Sequence, residues 1–103
     1  MKTHSGVTPE QHRELTVRAG IQKIFCFKDE KSETYGPPIT VETQGVFIRQ
    51  IQEQLPQGQA IWSKHPQDFS IFELGEYDIY TGKILLHESK KCLGLVMDFR
   101  TTN

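Results

Sequence analysis

One stretch of helical period, set among strand-like segments, constrains the fold more than any other feature. Phe47, Ile48, Ile51 and Leu55 recur at helical spacing, while Arg49, Gln50, Gln52 and Glu53 take the other side. Thr43 reads as the N-cap, and Pro56 and Gly58 stop the helix. A helix of roughly Thr43 to Gln54 with one apolar stripe must cover something. The best partner is Phe69-Ser70-Ile71-Phe72-Glu73-Leu74-Gly75, rich in aromatic and apolar residues. The expected packing sets the helix stripe on Phe72 and Leu74, with Gly45 allowing close backbone approach in the first turn.

The strand from Phe69 to Tyr80 has a slip in its alternation. Phe72 and Leu74 share one parity, Tyr77 and Ile79 the other, and Gly75 stands between them. A β-bulge at Gly75 would return both pairs to one face. Asp78 to Ile84 reads as a hairpin turn with Gly82 at the position that needs a positive φ. Ile84 to His87 is the return strand, Glu88-Ser89-Lys90-Lys91 a further turn, and Cys92 to Phe99 an alternating strand. Upstream, Ile21 to Phe27 is a strand, Lys28 to Ser32 a charged turn, and Thr34-Tyr35 a short extended piece that Gly36-Pro37-Pro38 ends. Trp62 either caps the core or lies exposed. Together these predict an α+β fold: a single antiparallel β-sheet of four to five strands with one main α-helix packed on one face.

The chain has 103 residues, enough for one domain with one modest core. Residues 21–103 form that domain. Residues 1–20 read as a polar arm or as a short helix capped by Thr8 with Pro9 at its first position. Net charge is −1: seven Lys/Arg against six Asp/Glu in residues 1–52 give +1, and five against seven in 53–103 give −2. Neither half is a basic tail, so any cationic footprint is local. Cys26 and Cys92 lie in apolar runs with no Cys-x-x-Cys, which favours two buried free thiols over a disulfide or zinc site. No apolar run is long enough to span a bilayer, and no signal segment precedes the domain, so a cytoplasmic protein without membrane contact is expected.

Enzyme signals are weak. There is no phosphate-binding loop, dinucleotide fingerprint or nucleophile elbow. His4, His12, His65 and His87 stand in unrelated contexts, and neither a metal site nor a cofactor is expected. Asp68, Glu73, Glu76 and Asp78 read as a solvated strand face rather than catalytic carboxylates. A nucleic-acid reading has more content. Lys23, Phe25 and Phe27 share a strand face, with Lys28 just beyond, and Lys90, Lys91 and Arg100 supply a second set of cations. Stacking aromatics beside cations are what single-stranded binding needs. The competing reading puts Phe25 and Phe27 in the core, and the residues alone favour it.

From Phe25 to Leu95 the chain resembles the small nonstructural protein of gokushoviruses, single-stranded DNA phages of the Microviridae. The matching pieces are Phe27-Lys28-Asp29-Glu30-Lys31, Tyr35-Gly36-Pro37-Pro38, Thr43-Gln44-Gly45-Val46-Phe47-Ile48-Arg49, Lys64 to Asp78, Thr81-Gly82-Lys83 and Leu93-Gly94-Leu95, in that order. The resemblance implies a non-enzymatic role in viral single-stranded DNA synthesis or packaging, in the cytoplasm of the bacterial host. It carries over no catalytic residues. On this reading the chain is a homodimer that binds single-stranded DNA. Lys23, Lys28, Lys90, Lys91 and Arg100 would neutralise phosphates, and Phe25, Phe27 or Tyr77 would stack on bases. The rival is a protein-interaction module that binds phage replication or capsid proteins, or a host factor, without touching nucleic acid.

Overall fold

The computed structural model describes residues 20–101; the arm or helix expected before Gly20 lies outside them. The elements run β1 (Ile21–Asp29), β2 (Thr34–Tyr35), β3 (Ile39–Val41), α1 (Gln44–Gln54), a one-turn helix α2 (Ile61–Lys64), β4 (Phe69–Asp78) and β5 (Ile84–Leu95). The strands make one antiparallel sheet. β2 and β3 both pair with one side of β1, β4 with its other side, and β5 forms the outer edge beyond β4. The expected architecture, one helix on one face of a four- to five-stranded sheet, is the one observed.

The helix begins where the sequence says it should. Thr43 is extended, and its hydroxyl accepts the Val46 N–H at 3.1 Å. Leu55–Gln57 tightens into a 3₁₀ turn, and Gly58 closes it at φ 64°. α1 buries Phe47 and Ile51, and Leu55 follows them into the core, whereas Ile48 is only half-buried.

The partners of α1 differ from expectation. The core joins Phe47, Ile51 and Leu55 to Phe25, Val41, Phe69, Ile71 and Val96. Phe25 stacks on Phe47 with ring centroids 4.3 Å apart, and Phe27 stacks on Trp62 at 4.7 Å, so Trp62 seals the core edge. Phe25 opposes Glu73 and Phe27 opposes Ile71, which puts Phe69, Ile71 and Glu73 on the helix side of β4. Phe72 therefore faces away from α1, and Leu74, at the bulge, lines with it the side of the sheet that carries no helix among the elements just given, the helix-free side. The sequence reading chose the parity of Phe72 and Leu74, but the core parity is that of Phe69 and Ile71 and contains an acid, Glu73.

The bulge expected at Gly75 is present. Ile24 opposes Gly75 and Phe25 opposes Glu73, so Leu74 is the extra residue. Gly75 is needed because β5 passes very close. A Cβ there would lie 2.3 Å from the Leu85 carbonyl oxygen and 2.8 Å from the Leu86 Cα. By contrast, a Cβ at Gly45 would meet nothing nearer than Thr43 Oγ1 at 3.8 Å, so the close approach expected there is absent.

The hairpin is also as expected. Asp78 N–H donates to the Lys83 carbonyl at 2.9 Å, and Gly82 takes φ 76°. Beyond it, β5 is one strand of 12 residues rather than two strands and a turn. Gly75 opposes Leu86 while Glu73 opposes Lys91, so residues 87–90 leave the ladder as a wide bulge. After Leu95 the chain turns into 3₁₀ geometry over Val96–Phe99, where an alternating strand was expected.

Candidate nucleic-acid interface

The register sorts the expected binding residues between the two sides of the sheet. Phe25 is 0% exposed and stacked on Phe47, and Phe27 is packed between Phe47 and Trp62. Neither ring has a face for a base, and both are corrected to core residues. Lys23 lies on the helix side, 3.1 Å from Glu76 and 3.8 Å from Glu73. Lys91 opposes Glu73 and so belongs to that side as well. Arg100 lines a separate hollow with Gln52, Leu55 and Pro56 beside the end of α1. Tyr77 opposes Gln22 and Ile84 on the helix-free side, half-buried.

Two of the expected cations do converge, on an aromatic the sequence reading left unassigned. Lys90 Nζ lies 5.3 Å and Lys28 Nζ 5.5 Å from the centroid of the Tyr35 ring. Both are within cation–π range. Tyr35 comes from β2, Lys28 from β1 and Lys90 from the β5 bulge, so three separate elements supply the group. Tyr35 and Phe72 pack edge to face with ring centroids 5.6 Å apart, and 45% of Tyr35 remains exposed. Tyr35 and Lys90 border a groove of about 550 Å³ on the helix-free face, whose floor includes Phe72, Leu74 and Leu86 and whose lining includes Glu88. The bulge forms its second wall.

The electrostatics of the groove are mixed. Lys28 also pairs with Glu30 at 3.3 Å, and that hydrogen bond raises the ammonium pKa. Glu30 in turn accepts the Ser70 hydroxyl, which is the main reason its carboxyl titrates below the ordinary range. Lys90 has no acidic partner within 4 Å among the described residues, and its charge partly offsets the burial that pushes up the Cys26 thiol. Cys26 is buried as expected, but Cys92 is exposed, because it stands on the edge strand.

A second polar group sits on the helix side. Glu73 is 4% exposed, and its Oε2 lies 2.7 Å from His87 Nε2. A buried carboxylate bonded to an imidazole is a familiar acid–base pair. Here it joins the start of the β5 bulge to β4, and Lys23 supplies the countercharge from β1. Sequence inspection missed this because Glu73 looked like one more acid on a solvated face. Among the described residues no group of three His, Cys, Asp or Glu is placed to hold a metal ion, and no helix is long and apolar enough to cross a membrane.

The chain belongs to the Phage ORF5 protein family, whose model matches residues 22–99. That span takes in β2 to β5, all of β1 but Ile21, α1, α2 and the groove. No curated protein and no solved structure matches the chain.

Proposed function

We propose that this phage protein is a gokushovirus nonstructural accessory protein that works in the host cytoplasm, without catalysis, by binding viral single-stranded DNA on the helix-free face. The observation that carries the reading is Tyr35: a half-exposed ring with two ammonium groups within 5.5 Å of its centroid, beside a groove floored by Phe72, Leu74 and Leu86. A base stacked on Tyr35 would continue the Tyr35–Phe72 contact, and Lys28 and Lys90 would meet the flanking phosphates. Lys28 must first give up Glu30, which lowers its net contribution, so Lys90 is the stronger contact. The original aromatic set is replaced by Tyr35 and Phe72, with Tyr77 further along the same face.

Fluorescence anisotropy with labelled single-stranded and duplex oligonucleotides at low and moderate salt tests this. Single strands should bind more tightly, with an affinity that falls as salt rises. Lys90→Glu and Tyr35→Ala should each weaken binding at least fivefold, while Lys91→Glu and Arg100→Glu, on the other side of the sheet, should change it little. No binding at ~50 μM protein in low salt would refute the reading, since even non-specific binders typically reach ~100 μM or better.

One observation favours the rival, a protein-interaction module: the apolar strand edge at Ile84, Leu85 and Leu86 is exposed. Complexes with phage or host proteins that survive nuclease treatment would support that reading.

A further inference from the structure

The two edges of the sheet are treated differently. Among the described residues, one side of β1 carries the short β2 and β3, separated by Pro37 and Pro38, which cannot donate to another strand. The opposite edge is β5, and its first stretch has no such protection. Ile84, Leu85 and Leu86 are 57%, 60% and 70% exposed on consecutive positions, so apolar side chains project from both sheet faces along a free ladder edge. Ile79 and Tyr80 in the adjoining turn are exposed as well. These five side chains present on the order of 600 Å², the upper end of what a monomer's largest apolar patch usually shows.

We infer that this edge pairs with a second copy of the chain, antiparallel and two-fold symmetric about Leu85. A two-fold axis normal to the sheet keeps each side chain on its own face, so each residue meets one of equal parity. Centred on Leu85, the pairs are Leu85 with Leu85 on the helix side and Ile84 with Leu86, twice, on the other. Every pair is apolar. Centred on Leu86, Ile84 would meet Glu88 and Leu85 would meet His87; centred on Ile84, Leu85 would meet Lys83. The chain's own edge is thus self-complementary in one register. With both patches fully covered, turn residues Ile79 and Tyr80 included, two copies would bury at most about 1,200 Å² in total, the lower bound for a specific interface. The bulge at residues 87–90 ends the straight edge, which confines pairing to Ile84–Leu86. The pairing uses the edge once per copy, so it closes as a dimer rather than growing into a fibre.

Sedimentation of the full chain from 1 to 100 μM should show the mass double. Leu85→Asp should remain monomeric while keeping the wild-type circular dichroism. In a Cys92→Ser background, Leu85→Cys should form a disulfide-linked dimer under mild oxidation, because the residue faces its own copy. Ile61→Cys, exposed on α2 away from the edge, should give at least tenfold less. A wild-type chain that stays monomeric, leaving the edge to a foreign strand, overturns the inference. A folded Leu85→Asp that still dimerises does the same, as does crosslinking at Leu85 no stronger than at Ile61. If Leu85→Asp does not fold, the crosslinking contrast decides alone. The DNA reading plays no part in this inference, and neither result determines the other.

Discussion

Replacing Gly75 with alanine adds one carbon at the tightest point of the sheet. That carbon would stand 2.3 Å from the Leu85 carbonyl oxygen and 2.8 Å from the Leu86 Cα, both backbone atoms. Carbon–oxygen contacts settle near ~3.3–3.6 Å, so β5 would have to retreat by about 1 Å. A ladder bond of ordinary ~2.9 Å length stretched that far is no longer a hydrogen bond. Three pairs would be affected: Gly75–Leu86, Glu76–Leu85 and Tyr77–Ile84. Two or three lost bonds at about 1 kcal/mol each, plus about 1 kcal/mol of residual overpacking, give a loss of about 3–4 kcal/mol. A domain of this size holds only about 5–15 kcal/mol in total. The melting temperature should fall by roughly 12–32 °C, at about 4–8 °C per kcal/mol. Thermal unfolding read by circular dichroism and by the fluorescence of Trp62, the single tryptophan, measures it. The control is Gly45→Ala, whose Cβ meets only Thr43 Oγ1 at 3.8 Å in the first turn of α1; it should stabilise by about 0.5 kcal/mol. A Gly75→Ala protein melting within 3 °C of wild type would show that β5 yields at no cost, and the close-approach reasoning would be wrong.

Two further perturbations probe the groove's supports. His87→Ala removes the 2.7 Å partner of buried Glu73 and should cost about 2 kcal/mol in urea unfolding, against under about 0.5 kcal/mol for His65→Ala at an exposed turn; equal effects would remove the anchoring role of the His87–Glu73 contact. In the folded protein a thiol reagent at neutral pH should modify Cys92 quickly and Cys26 only on unfolding; because burial raises the Cys26 pKa, stability should also decline as pH climbs past the ordinary thiol value of 9.0, where the unfolded thiol ionises first, and Cys26→Ala should flatten that decline.

What could be read from the sequence was whatever a local rule encodes. Thr43, Pro56 and Gly58 bracket the helix by capping and turn chemistry, and each does so in the fold. The parity slip around Gly75 announced a bulge, because a two-residue period tolerates no other explanation. The side assignment of β4 failed for a non-local reason. Glu73 occupies a core position only because Lys23, 50 positions earlier, and His87, 14 later, come to meet it. With those partners invisible, Phe72 and Leu74 looked like the buried pair. Residues 87–90 misled in the same way. A polar tetrapeptide between apolar runs reads as a turn, and nothing local says that it folds over a sheet face instead. Tyr35 was passed over for want of neighbours, since its two lysines come from segments on either side of it in the chain.

The two proposals bear on each other through one geometric fact. A two-fold axis normal to the sheet preserves faces, so the helix-free sides of both copies would lie on the same side of the dimer. Each groove includes Leu86, and Leu86 is also an interface residue, so the two grooves would begin at the axis and run outward from it. A single groove, with one fully available cation in Lys90 and a chain net charge of −1, is a weak binder of DNA. Two grooves on one face present two Tyr35 rings and two Lys90 ammonium groups to the same strand. The second contact then forms at a local concentration in the millimolar range. With a net charge of −1, the chain would gain from such repetition in holding a polyanion. On these two proposals the apolar edge and the aromatic groove would be parts of one surface, with the bulge at 87–90 common to both: it would end the edge that pairs and wall the groove that binds.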